Sequence, residues 1–210
     1  MKVLFIGNNH TYFNDMPYQF AELMRAAGTK AEVTMISRGG QNIKGHIANE
    51  QTRFNILYGN YDYVILQEVT SDFPDAKTYT EDVSVILDWC KEAGVPLGLY
   101  MNFESPNDTP PLEYLRSGVL AASEALSLPV ARVGEAFAKA REKMPQLYLY
   151  HTDHNHANAV GSYLIALTIL HGIFGIDTIG LPSSVSYKEK TIVSLSDDDA
   201  LELQKIAKSL

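Results

Sequence analysis

The sequence predicts a three-layer α/β domain, with about five parallel strands and helices on both faces. Three observations carry that expectation. Strand-like apolar runs alternate with runs of helical period along most of the chain. The strand-like runs are apolar at nearly every position, as in strands covered on both faces. The chain has 210 residues, 46% hydrophobic and 20% charged, which suits one domain with a large core.

The elements follow in order. Residues 3–7 read as the first strand. Residues 15–27 read as a helix, with Asp15 as the expected N-cap and Pro17 in the first turn. Phe20, Leu23, Met24 and Ala27 form its expected buried stripe, and Gly28 stops it. Residues 31–37 and 63–67 read as the second and third strands. A helix over 79–93 ends at Gly94. Residues 96–101 read as the fourth strand, and Pro110-Pro111 introduces a helix over 112–126. Residues 129–133 read as the fifth strand, followed by helices over 134–143 and 159–174. The run Asp197-Asp198-Asp199 opens a last amphipathic helix over 197–210, since carboxylates favour helix N-termini. Residues 175–191 are the least regular and read as an extended segment over the surface. Residues 175–210 are expected to pack as an extension on a single domain, 1–210. Five strands fit a flavodoxin-like order, which the pattern does not fix. In such sheets ligands bind at the carboxyl ends of the strands. The loops 8–14, 38–45 and 68–75 should therefore converge.

Composition excludes several classes of function. The net charge is −8 with no basic block, which argues against nucleic acid or an anionic membrane as a partner. Cys90 is the single cysteine, so no intrachain disulfide forms, and its helical context reads as a buried, inert thiol. No stretch approaches the roughly 18 apolar residues of a membrane span. The apolar run 3–6 is too short for a signal peptide, which leads to an expected cytoplasmic location. The loop after the first strand has no glycine-rich phosphate cradle, so no nucleotide cofactor is expected. His151, His154 and His156 cluster without a matching acidic or cysteine group, and read as hydrogen-bonding residues rather than a metal site.

Four segments carry chemistry. Gly7-Asn8-Asn9-His10-Thr11 follows the first strand, with Asn14-Asp15-Met16-Pro17 just after. Gly40-Gln41-Asn42-Ile43-Lys44-Gly45-His46 follows the second. Ile65-Leu66-Gln67-Glu68 ends the third. Asp153 and His156 are followed by Gly161-Ser162-Tyr163-Leu164. Each alone has an ordinary reading. Asp153 and His156 could be a loop pair, Gly39-Gly40 a turn, Gln67-Glu68 a strand end with Glu68 in a salt bridge, Thr11 a cap or turn residue, and His46 structural. Tyr12, Phe13, Tyr18 and Phe103 could line a pocket or simply pack in the core.

Taken together and in this order, the segments resemble the blocks of the SGNH (GDSL-like) hydrolases, in particular a bacterial subgroup whose first block reads G-N-S-x-T. The resemblance spans residues 3–172. It implies that His156 is the general base and that Asp153 holds its tautomer. It implies that the Gly40 N–H and the Gln67 amide face a developing oxyanion. At the position of the nucleophilic serine this chain has Asn9. A carboxamide nitrogen has a delocalised lone pair, so the covalent route of a serine hydrolase does not run through it. Two functions follow as expectations. One is hydrolysis of an acyl or acetyl ester of a small metabolite or carbohydrate. The other is binding of such a small ligand in a former active site. Neither requires a metal or a cofactor.

Overall fold

A computed structural model of the chain describes residues 1–107 and 110–210. Five parallel strands form its sheet: β1 (Lys2–Gly7), β2 (Glu32–Ser37), β3 (Tyr63–Gln67), β4 (Leu97–Tyr100) and β5 (Val130–Ala131). Their order is β2-β1-β3-β4-β5, the flavodoxin-like arrangement. Val3 pairs with Val33 on one side and Tyr63 on the other, while Gln67 pairs with Tyr100.

The helices are α1 (Asn9–Tyr12), α2 (Met16–Ala26), α3 (Ile43–Ile47), α4 (Glu50–Tyr58), α5 (Ala76–Ala93), α6 (Leu112–Leu126), α7 (Val133–Lys143), α8 (Ala159–Phe174) and α9 (Asp197–Lys208). They cover the sheet on both faces. Successive strand residues point to opposite sides. Val3, Phe5 and Ile65 join one core with α2, α7, α8 and α9, and Leu4, Ile6, Val64 and Leu66 join the other with α5 and α6. α8 is buried along its whole run from Gly161 to Leu170. It touches α2, α7, α9 and β5, so nearly every side faces protein and nearly every residue is apolar.

The chain departs from expectation in a few places, each with a local cause. Asp15 does not cap α2 with its side chain. Asn14 and Asp15 both adopt left-handed backbone, at φ 54° and 52°, closing a 3₁₀ turn over Phe13–Asp15. That kink swings the short helix α1 off the axis of α2. Ala27 lies past the end of α2 and is exposed. Between the second and third predicted strands, residues 43–58 hold two further helices, α3 and α4. Asn42 and Asn49 start them, each accepting a bond from a backbone N–H two or three residues on. The irregular segment is a hairpin, β6 (Ser184–Tyr187) against β7 (Lys190–Ser194), turning through Lys188 at φ 53°.

Gln204 on α9 ties this C-terminal segment down. Its amide donates to Tyr163 Oη at 3.1 Å and to the Leu181 carbonyl at 2.8 Å, and accepts from Gly180 N–H at 2.9 Å. Cys90 is buried, and burial pushes its thiol up to about 12. No helix among the described residues is long and apolar enough to cross a membrane.

The first turn of α8 sits against the loop that leads into it. A Cβ on Gly161 would collide with the Leu149 carbonyl and crowd Ala157 and Phe137. Backbone cannot yield as a flexible side chain can. Gly161→Ala is therefore expected to destabilise the protein by about 1–3 kcal/mol, read as a lower urea midpoint at an unchanged slope.

Candidate active site

The carboxyl ends of β1, β2 and β3 bring the expected loops together. β1 ends at Gly7, and Asn8 caps α1 by accepting the His10 N–H at 3.0 Å. The Asn8 amide also donates to the Gln41 carbonyl at 3.1 Å, tying the loop after β1 to the loop after β2. Asn9 is the first residue of α1 and is half-buried. Opposite it, Gly40 turns through left-handed backbone at φ 68°. Its N–H donates to Asn9 Oδ1 at 3.0 Å.

That bond settles the protonation pattern. A backbone N–H can only donate, so the Asn9 oxygen faces Gly40 and the Asn9 nitrogen faces His156. Asn9 Nδ2 donates to His156 Nε2. His156 therefore carries its proton on Nδ1, which donates to Asp153 Oδ2 at 2.7 Å. Asp153 Oδ1 accepts the N–H groups of Asn155 and His156 at 2.9 and 3.0 Å. Burial would push this carboxyl up. The Asn155 N–H, the His156 ring and the His156 N–H outweigh it, and hold Asp153 well below the usual carboxylate range. The 151–156 loop is closed by the His151 N–H donating to the His156 carbonyl at 2.7 Å. Asn158 then caps α8 through the Gly161 N–H.

Two rings hold His156 in place. Phe13 lies 4.3 Å from it, centroid to centroid, and His10 stacks at 5.0 Å. His10 is itself wedged edge-on against Phe103 at 5.2 Å. Burial, and then the neighbouring His156, push His10 down to about 3, so it stays neutral. Among the expected aromatics, Phe103 belongs to the core, stacked on Phe137 at 4.0 Å. Tyr12 and Tyr18 line a shallow cavity of about 160 Å³ together with Pro17, Val33 and Met35.

Gln67 differs from expectation. Asn8 N–H and Thr11 Oγ1 both donate to its Oε1, at 3.0 and 2.8 Å, and its nitrogen donates to the Glu68 carbonyl. The amide is buried and turned inward, so its donor does not face position 9. The extra methylene relative to asparagine lets it fold back and clamp the β1 loop onto β3. Thr11 serves this clamp rather than a cap. Gly7 must be glycine there, because a Cβ would run into Thr11 Oγ1 and Gln67 Oε1.

Among the described residues Glu68 forms no salt bridge. It is buried and accepts Ile43 N–H at 3.0 Å and Val69 N–H at 2.6 Å. His46 is structural, its Nε2 bonded to the Gly7 carbonyl at 2.8 Å. The sequence reading also missed Asn14. Its amide donates to the Ala157 carbonyl at 2.8 Å and Ser162 Oγ at 2.9 Å, joining the first loop to the His156 segment. Its place inside the N-x-M-P stretch is the signal that could have found it. Among the described residues no group of three or more His, Cys, Asp or Glu side chains is arranged to hold a metal.

No family model matches the chain, and no curated protein matches it by sequence. Solved structures match it in fold. A DUF4886 family protein from Bacteroides uniformis aligns at a TM-score of 0.77 and 15% identity, over 100% of this chain and 93% of that one. A lipolytic protein of the G-D-S-L family from Veillonella parvula aligns at 0.64 and 15% identity, over 81% and 97%. The esterase EstA from Pseudoalteromonas, in a structure inhibited by monoethylphosphonate, aligns at 0.60 and 15% identity, over 83% and 97%. The five-stranded sheet with its surrounding helices is thus the α/β fold of the GDSL-like lipolytic structures.

Burial, opposed by its two backbone N–H donors and aided by Asp82 and Asp72, pushes Glu68 up to about 7. A carboxyl raised on folding binds its proton more tightly in the native state. Its contribution is fully present below the unfolded value near 4.5 and is lost as pH rises through about 7. Relative to Glu68→Gln, which stays neutral, the protein is expected to lose up to about 3 kcal/mol across that window. Urea midpoints of both proteins at mildly acidic and mildly alkaline pH check this. A constant difference between them would contradict it.

Proposed function

We propose that this protein carries an SGNH-type site for hydrolysing a small acyl or acetyl ester, of a metabolite or a carbohydrate, with Asn9 in the place of the nucleophilic serine. One observation supports the reading above all. The Gly40 N–H, the side chain at position 9, His156 Nε2 and the Asp153 carboxylate form a single hydrogen-bonded line. That order of oxyanion donor, nucleophile position, base and orienting acid is what acyl transfer requires. The fold shared with esterases agrees with it.

A serine at position 9 would set its hydroxyl beside His156 Nε2. With Asn9 no acyl-enzyme forms. The remaining route is direct. The Asn9 amide swings off Nε2, His156 takes a proton from water, and the hydroxide adds to an ester carbonyl whose oxygen rests on the Gly40 N–H. Asp153 steadies the imidazolium throughout.

A second reading has its own support. The Asn9 carboxamide occupies the Gly40 donor and the His156 acceptor at once, so the site is satisfied without turnover. On that reading the pocket binds a small ester, sugar or acid and does not convert it.

p-Nitrophenyl acetate separates the two. Asn9→Ser is expected to hydrolyse it roughly 100-fold or more faster than the chain as it stands, and His156→Ala in that background to remove most of the gain. Slow turnover by the unaltered chain that His156→Ala abolishes would support the water route. Silence in every variant, with ligand affinity that changes at Asn9, would leave the binding reading.

A further inference from the structure

We infer that Asn9 is itself a modification site, whose side-chain amide this same site hydrolyses with water to give an aspartate at position 9. The inference rests on the hydrolase reading of the site but concerns a different substrate, the chain's own carboxamide.

The amide is held as a substrate would be. Its oxygen sits on the Gly40 N–H at 3.0 Å, the oxyanion donor, and its nitrogen, the leaving group, lies on His156 Nε2. His156 is oriented by Asp153 at 2.7 Å. Asn9 and His156 are both half-buried, and the His156 side chain keeps 16% of its surface exposed, so the pair borders solvent.

The steps balance with water as the sole co-reactant. The Asn9 amino end first tilts off His156 Nε2 and frees its single lone pair; the water oxygen then bonds to Asn9 Cγ while its proton passes to Nε2. The carbonyl pair moves onto Oδ1, where the Gly40 N–H holds the charge. The tetrahedral carbon then collapses, the Cγ–Nδ2 bond breaks, and His156 returns the proton to the departing nitrogen. Amide and water become carboxylic acid and ammonia, the acid's proton then passes to the ammonia to leave carboxylate and ammonium, and nothing is oxidised or reduced.

The ordinary route to the same mass is closed. Spontaneous deamidation needs the His10 backbone nitrogen to attack Asn9 Cγ. That nitrogen's N–H is held by Asn8 Oδ1 at 3.0 Å, and both residues lie in α1. Catalysis by the site gives aspartate alone, whereas the succinimide route gives a mixture with isoaspartate. The product also matters for function. A carboxylate can form covalent intermediates where a carboxamide cannot.

The test is peptide mapping of residues 3–25 after incubating the folded protein at neutral pH in heavy-oxygen water. His156→Gln and Asp153→Asn serve as controls, with circular dichroism confirming that each stays folded. Expected is aspartate at position 9 carrying one heavy oxygen, without isoaspartate, forming at least roughly tenfold faster than in His156→Gln. Aspartate already present on purification, with His156→Gln still amidated, supports the inference equally. An intact Asn9 in the unaltered protein, equal rates in both proteins, or an isoaspartate mixture would overturn it. If Asn9→Ser is an active esterase while Asn9 stays amidated, this inference fails and the hydrolase reading stands. If both are silent, both fail.

Discussion

Everything in the candidate site takes its direction from the hydrogen bond between the Gly40 N–H and Asn9 Oδ1. A main-chain N–H has no alternative role, so it fixes which end of the carboxamide faces which neighbour. The imidazole tautomer follows, and with it the ionised state of Asp153. Gly40 supplies this donor only because it turns through left-handed backbone, which costs glycine little. The loop carrying it is held by the Asn8 amide on the Gln41 carbonyl. The orientation of His156 thus depends on backbone geometry at the end of β2, far away in sequence.

Beneath that line lies a buried polar layer at the carboxyl ends of the strands. Asn8, Thr11, His46, Gln67, Glu68 and Asn102 are all buried there. Asn102 donates to the Glu68 carbonyl and to Thr70 Oγ1, so even the loop after β4 is joined to it. Most of these groups find partners inside the layer, which is the condition under which buried polarity rigidifies rather than destabilises. Gln67 takes both of its acceptor bonds from the β1 loop and gives its donor to its own neighbour. A side chain expected from the sequence to point outward therefore acts as a clamp. The hydrogen-bonded line above it is positioned by this layer and not by the apolar core directly.

The sheet was legible because strands buried on both faces read as unbroken apolar runs, and Gly94 and Pro110-Pro111 punctuate the helices between them. Asp153 and His156 were legible because they sit three residues apart in front of an apolar helix. What the pattern hid was governed by tertiary contact. The left-handed pair Asn14 and Asp15 looks like an ordinary cap until Asn14 is seen bonded to Ala157 and Ser162 across the molecule. The inward fold of Gln67 depends on Asn8 and Thr11, whose side-chain roles no local period reveals. The hairpin after α8 is short, polar and exposed on its outer face, so it lacks the alternation that marks a half-buried strand.

The likeness to esterases at 15% identity speaks for the path of the backbone and not for the reaction, since one fold hosts many chemistries. On the proposed hydrolase reading, the reaction turns on what position 9 can do for its two neighbours. A serine hydroxyl gives its proton to the base and leaves the oxyanion donor open for a carbonyl. A carboxamide is longer, planar, and both acceptor and donor, so it spans the gap and occupies both partners together. On that reading one residue closes the covalent route while His156 and Asp153 keep their hydrogen bond. The same bridging presents the carboxamide to the machinery as an acyl group with its leaving nitrogen. Since Asn9 and His156 both border solvent, the geometry that makes the carboxamide a plug against an ester also sets it within reach of water.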